Sequence, residues 1–556
     1  MEKTLKKLFS IAALISVAAT MADHTRVATF YNARSQGTNA ARWLVGTTGH
    51  MYHYEMDKHN GTISLTPEYT RTFKSDRISE CLFGACGDIK IKGSAVIGAT
   101  PGATDWLADW FYLPEDFDGT ISFHPRIQNF IADFDFYWGM DKWYEGLYFR
   151  LHAPIVWTKW DLRCCENVAN AGTAGTWFGA QGLTTLTSFL AYARGQEKLG
   201  NFTDIGVNFT PQALQCAKLC CDDTKVRLAD LRAYLGWNFA QDEDYHFGLN
   251  AQIAAPTGNR PKGEFIFEPM VGNGHHWEFG GGLTGHYVFW RGEEADNHFG
   301  LYVDANFTHL FRATQKRAAD LTNNGGLSRY VLAAKVADGN LTGDLAPVAN
   351  LLCCCETKVS IGIQADVAAM LNYTTGNYAF DLGYNFWYRS CERFRCKEDC
   401  KDSCDSSSSC GSTSCTCKEF DGKTWALHNT TFVGGEEPSF HTSFSKATIH
   451  ALGAEDQNRV FLQASDIFYP RTRGLSHKVF AHLGYNWFDR ENDEWIPYVG
   501  VGGEVEFGSG CGSSSSDCSC GDSCSTSSCK ESCSSCIKHC SLSQWGVWVK
   551  GGISWS

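Results

Sequence analysis

The feature that most constrains this chain is a run in which every second residue is apolar for far longer than an ordinary strand. From Val359 the odd positions read Val359, Ile361, Ile363, Ala365, Val367, Ala369, Leu371 and Tyr373. Between them lie Ser360, Gly362, Gln364, Asp366, Ala368, Met370, Asn372 and Thr374. At 43% apolar residues, eight consecutive matches arise by chance roughly once in a thousand placements. The same alternation recurs through Leu147–Trp157, Phe247–Ile253, Trp277–Phe289, Phe299–Phe307, Val499–Phe507 and Trp545–Trp555. Period two places successive side chains on opposite faces of a sheet. These runs exceed the roughly 5 or 6 residues usual in soluble sheets and match the roughly 9 to 11 that a tilted strand needs to cross a bilayer. The alternative, a large soluble β protein with one buried face, explains the alternation but not the length.

Aromatic residues reinforce the membrane reading. Trp237, Phe239, Trp387, Tyr388, Trp487 and Phe488 stand where strands are expected to end, at headgroup level, where amphipathic rings are stabilised. A short motif appears three times, as Leu235-Gly-Trp-Asn-Phe239, Leu382-Gly-Tyr-Asn-Phe386 and Leu483-Gly-Tyr-Asn-Trp487. Its spacing is too irregular for a solenoid or propeller and predicts one hairpin design reused around one sheet.

The first residues set the compartment. Lys3, Lys6 and Lys7 precede the apolar run Leu8–Ala19 and the small residues before Ala22. This reads as a secretory signal peptide over 1–22, since the run is too short for a spanning helix. Residues 23–556 are then expected to form one antiparallel transmembrane β-barrel of all-β class, with about 14 to 16 strands inside a range of roughly 12 to 18. The formal charge of −13 argues against nucleic acid as a partner, because phosphate binding requires a basic face.

Twenty-five cysteines in an exported chain predict disulfides. Fifteen lie in two Ser/Cys-rich loop insertions. Residues 391–417 carry Cys391, Cys396, Cys400, Cys404, Cys410, Cys415 and Cys417. Residues 511–540 carry Cys511, Cys518, Cys520, Cys524, Cys529, Cys533, Cys536 and Cys540. Cys533, Cys536, His539 and Cys540 are residue types that zinc accepts, but the spacing is common to any Cys-dense segment, so no metal is expected. Asp105–Leu113 places Trp106, Leu107, Trp110 and Phe111 on one helical face and predicts a short helix, as a loop helix capping the barrel end or else lying in the interface or folded into the lumen. Lys316–Ala349 is weakly patterned and predicts a long external loop.

No phosphate-binding loop, HExxH or nucleophile-elbow signature occurs in its required context, so neither an enzyme nor a cofactor is expected. The candidate site is instead the barrel lumen. Residues expected to face inward and set the field of a pore are Arg150, His152, Asn250, Gln252, Glu278, Asp304, Asn306, Arg312, Gln364, Asp366, Glu504, Glu506 and Lys550.

In the signal segment, the long alternating strands, the aromatic strand ends and the closing amphipathic strand, the chain resembles bacterial outer-membrane porins. Its Cys-laden loops resemble the cysteine-rich major outer-membrane porins of chlamydia-like bacteria, whose envelopes are disulfide cross-linked. One departure is that Ser556 follows Trp555, where such barrels usually end on an aromatic residue. The resemblance implies an outer-membrane channel for passive diffusion of small polar solutes or ions. Its partners would be membrane lipid, copies of itself or disulfide-linked envelope proteins. The competing expectation is a plugged, non-conducting surface barrel whose cysteine loops build a network.

Overall fold

The computed structural model describes residues 27–52, 59–85, 87–93, 95–96, 105–173, 186–204, 206–219, 222–292, 297–322, 324, 326–352, 356–396, 419–428, 461–487, 495–509 and 538–555. The expected signal peptide lies outside these residues, as do all members of the two cysteine blocks except Cys391, Cys396 and Cys540.

Twelve antiparallel strands close into one barrel. In chain order they are β1 (Gly61–Thr72), β2 (Arg126–Gly139), β3 (Leu147–Asp161), β4 (Leu231–Asp242), β5 (Tyr245–Ala255) and β6 (Glu278–Arg291). They continue as β7 (His298–Lys316), β8 (Glu356–Thr375), β9 (Tyr378–Arg389), β10 (Thr472–Asn486), β11 (Trp495–Gly508) and β12 (Gln544–Trp555). Each strand pairs with its neighbours in sequence, and β12 returns to β1 through Gly61↔Trp555 to Thr72↔Gln544. The all-β single-barrel expectation therefore holds, with fewer strands than the expected 14 to 16.

Several further β segments pair outside the barrel. One end has short turns, such as residues 243–244 between β4 and β5 and 376–377 between β8 and β9. The other end carries long connections that fold together as a cap with its own apolar core. Strands Asp88–Lys92, Asp118–Phe123 and Cys164–Asn170 form one small sheet there. Leu332–Ala337 and Asn340–Pro347 belong to another. The weakly patterned Lys316–Ala349 stretch is thus no loose loop, and Leu332, Ala333, Leu345 and Val348 lie in the cap core. Nor is Asp105–Leu113 an interfacial helix. Trp106–Leu107 is a two-residue strand leading into the 3-10 turn Ala108–Phe111, and Trp106, Leu107 and Phe111 are buried.

The outer wall is apolar. Leu65, Phe130, Leu249, Phe279, Leu283 and Val501 all stand exposed on it. Trp143, Trp237, Trp290, Tyr378, Trp487 and Trp495 ring the short-turn end. A continuous belt of this extent exceeds any ordinary soluble patch and fits hydrocarbon flanked by an aromatic girdle. The motif at Leu235 and at Leu483 ends a strand before a short turn, as expected. The copy at Leu382 runs the other way, from the turn at 376–377 toward the cap.

Two bulges break the parity of the alternation. The register between β7 and β8 shifts between Thr308 and Leu310 and again between Leu310 and Ala313. Each extra residue moves the following side chains to the other face. Ile363 and Leu371 consequently face outward while Val359 and Ile361, nominally of the same series, are buried. Arg312, expected to line the lumen, is exposed on the outer side for the same reason.

Candidate functional site: an occupied lumen

An eight-strand barrel can be filled by its own side chains, whereas a wider one encloses space. Here that space is occupied by the chain itself. Residues 27–52 run from the cap through the lumen to the short-turn end. Val27, Phe30 and Tyr31 pack in the cap core. Arg34 and Arg42 sit midway, and His50 bonds to Ser554 and Asn486 near the far end, both at 2.8 Å.

This segment has one short helix, α1 (Ala40–Leu44). Buried backbone groups require partners, and the barrel wall supplies them. Asp366 accepts from the Ala40 amide at 2.8 Å and Asp381 from the Gly46 amide at 2.9 Å. Lys550 donates to the carbonyls of Arg42, Trp43 and Val45 at 3.2, 3.3 and 2.9 Å. Arg150 reaches the Trp43 carbonyl at 3.1 Å. Asn39 caps α1 through its own side chain.

Charge locks the segment in place. Arg34 pairs with Asp366 at 2.7 Å and Glu506 at 3.2 Å. Arg42 pairs with Glu68 at 2.6 Å and Asp133 at 2.8 Å. All six side chains are buried. Removing one partner of such a pair strands a buried charge at a cost of roughly 3–5 kcal/mol. Around these pairs the wall is cross-braced by Lys478–Glu504, Arg150–Asp135 and Arg232–Glu278, each at 2.7 Å. Aromatic stacking completes the seal: Trp43 lies on His152 at 4.3 Å, His50 on Tyr498 at 3.9 Å and Tyr52 on His246 at 4.3 Å.

Of the residues named from sequence, Arg150, His152, Gln252, Glu278, Asp304, Asn306, Gln364, Asp366, Glu504, Glu506 and Lys550 are buried on the inner face. Asn250 lies half-buried on that face, and Arg312 is outside. Several of the inner residues touch the threaded segment itself rather than an open channel. Sequence reasoning missed Arg34 and Arg42, which lie in a segment with no period. It also missed Glu68 and Lys478, although Thr62, Ser64, Thr66, Glu68, Thr70 and Thr72 form a polar alternation in β1 that marks an inner face. Among the predicted disulfide residues, Cys540 is a buried free thiol. No group of three or more metal-ligating side chains occurs among the described residues.

No protein-family model and no curated protein matches the chain. Among solved structures it is similar to an outer-membrane channel from Pseudomonas putida F1, at 8% identity, covering 91% of this chain and 100% of that one with a TM-score of 0.31. It is also similar to the transport unit of an Escherichia coli autotransporter, at 6% identity, 93% and 97% coverage and a TM-score of 0.25. A Pseudomonas aeruginosa FadL homologue gives 8% identity, 89% coverage of both chains and a TM-score of 0.24. Likenesses this low assign the chain to no family.

Proposed function

We propose that this protein is an outer-membrane channel for small polar solutes or ions, held shut by its own residues 27–52. The observation that carries the reading is the pair of arginines on that segment, each bridging two wall carboxylates inside a barrel whose outside is apolar. A polar, ion-paired lumen is costly to build if lipid-facing stability were its only role, because apolar packing serves as well or better. Ion pairs that join a separable segment to a wall instead provide a seal that can be displaced. The role is transport rather than catalysis, in membrane lipid and without nucleic acid, and the exported chain would use the cysteine loops to link to itself or to envelope proteins.

Planar-bilayer recording tests the reading. The full chain should give rare current steps, and the doubly substituted R34Q/R42Q chain frequent ones. A silent variant that still migrates as a folded, heat-modifiable barrel would overturn the channel. That outcome would favour the second reading, a structural barrel, for which the filled lumen and the large folded cap already speak. Non-reducing gels address the cross-linking: ladders that collapse on reduction support it, and a monomer band without reductant counts against it.

A further inference from the structure

Inside the lumen Arg34, Arg42 and Lys478 all have carboxylate partners. One group of cations on the outer wall has none. Arg312 and Lys316 stand exposed on the outer face of β7, at its cap end. Lys358 stands partly exposed on the same face of β8. Beyond it the strand Glu392–Cys396 presents Arg393 and Arg395, both exposed. No ion pair or side-chain hydrogen bond joins any of these five to another described residue. Against them stands Glu356, the one acidic residue on these three strands that faces outward, since Asp304, Asp366 and Glu392 are buried.

The register brings the cations together. Lys358 lies directly opposite Arg395, and Arg393 opposite Ser360. On the other side of β8, Thr314 of β7 faces Lys358. Residues opposite each other on one face of a sheet have Cβ atoms about 4.5–5.5 Å apart, and like charges there are destabilising. An anion set between Lys358 and Arg395 turns that repulsion into attraction. The patch also borders the apolar belt, where Phe311 and Ile363 are close to half exposed. Arg393 reaches toward that border: its Nη2 lies 3.8 Å from the place a Cβ on Gly362 would take.

We propose that this patch, centred on Lys358, Arg393 and Arg395, binds the phosphate headgroup of a lipid in the leaflet on the cap side of the membrane. Guanidinium and ammonium groups without carboxylate partners select phosphate, and the arginine fork can engage two of its oxygens at once. A basic cluster at the edge of a lipid-facing wall is suited to an anionic headgroup. The acyl chains would lie on Phe311 and Ile363 directly below, contacts that a free anion has no use for. The inference rests on the barrel lying in lipid and not on its conducting, so a silent bilayer leaves it standing.

The test is native mass spectrometry of the full chain in a neutral detergent, titrated with diphosphoryl lipid A and, separately, with the same lipid stripped of its phosphates. Saturable retention of the phosphorylated lipid is expected, at least about tenfold tighter than that of the stripped one. The doubly substituted K358Q/R395Q chain should lose about tenfold or more in affinity for the phosphorylated lipid. The K90Q/K142Q chain, which loses two exposed cations away from the patch, should bind as the native chain does. Heat-modifiable migration verifies that both variants are folded. Equal retention of the two lipids overturns the proposal, because apolar contact alone then holds them. Binding unchanged in K358Q/R395Q, or weakened as much in K90Q/K142Q, overturns it by placing the lipid elsewhere or on diffuse charge. Displacement of the lipid by inorganic phosphate at equal concentration also overturns it, since the site would then be one for a free anion.

Discussion

The Nζ of Lys550 lies 2.9 Å from the carbonyl oxygen of Val45, although 505 residues separate them in sequence. The same ammonium reaches the Arg42 and Trp43 carbonyls, so a residue of the last barrel strand closes the C-terminal end of α1. A helix leaves its final carbonyls without intrahelical partners, and in a dry lumen each must be met by a donor. Lys550 therefore acts as part of the seal. Its ammonium is engaged by the threaded segment.

Lys550→Met keeps the length of the side chain and removes the donor. Three carbonyls then lose their shared partner, which should weaken docking of the segment by about 1–3 kcal/mol. Hydrogen exchange at residues 40–45 should accelerate, and current steps in bilayers should become more frequent. Unchanged exchange would show that the carbonyls find other donors and that Lys550 is dispensable to the seal.

Gly46 follows α1 with φ of +63°, in the left-handed region that glycine adopts without penalty. A Cβ there would approach Cε1 of His482 at 2.7 Å, beside the Asp381 carboxylate that accepts from the Gly46 amide. Gly46→Val combines backbone strain with that collision, at a cost of roughly 1–3 kcal/mol for the strain alone. The barrel should still fold, since its ladders do not involve residue 46, but the segment should be displaced. Protease cleavage between residues 27 and 52 in the folded barrel reads this directly, and full protection would contradict it.

Much of the barrel was legible because period two survives any rearrangement of loops. Ile63, Leu249, Leu283, Val501 and Val549 all face outward as their alternation requires. Three things were not legible. Bulges reverse parity without a sequence signal, as at Arg312 and at Val359–Ile361. Strands such as Leu332–Ala337 lie in a stretch without sustained alternation, so their pairing within the cap left no signal in the sequence. The threaded segment was hidden because the ion pairs that hold it are non-local: Arg34 and Asp366 are 332 residues apart. Inner charges such as Asp366 and Glu506 could be found from alternation, but their partner could not.

The outer belt gives a paired prediction. Leu249 faces outward from β5 and is half exposed. Leu249→Arg should destabilise the barrel by about 2–4 kcal/mol if it lies near the bilayer midplane. Arg312 already sits on the outer side near the cap end of β7, so Arg312→Ala should leave conductance and its ion preference unchanged. Denaturant unfolding from lipid vesicles measures the first, and reversal potentials in a salt gradient the second. A shifted reversal potential in Arg312→Ala would place that side chain in the conduction path.

Glu268 in the loop between β5 and β6 offers a pH test outside the membrane-spanning strands. Burial pushes its carboxyl up to about 7 from an ordinary value of 4.5, and the amide of Lys262, which donates to it at 2.7 Å, offsets this only in part. The folded loop therefore keeps its proton at pH values where the unfolded loop has lost it. Its contribution to stability is complete below about pH 4.5 and declines as the pH rises toward 7. The total change is on the order of 3 kcal/mol at most. Glu268→Gln holds the neutral form at every pH, so its stability should be flat where the native loop weakens. Hydrogen exchange over residues 256–277 at pH 5 and 8, corrected for intrinsic rates, compares the two. Equal opening energies for the native loop at both values would mean that the carboxyl ionises freely in place and that its burial does not control the loop.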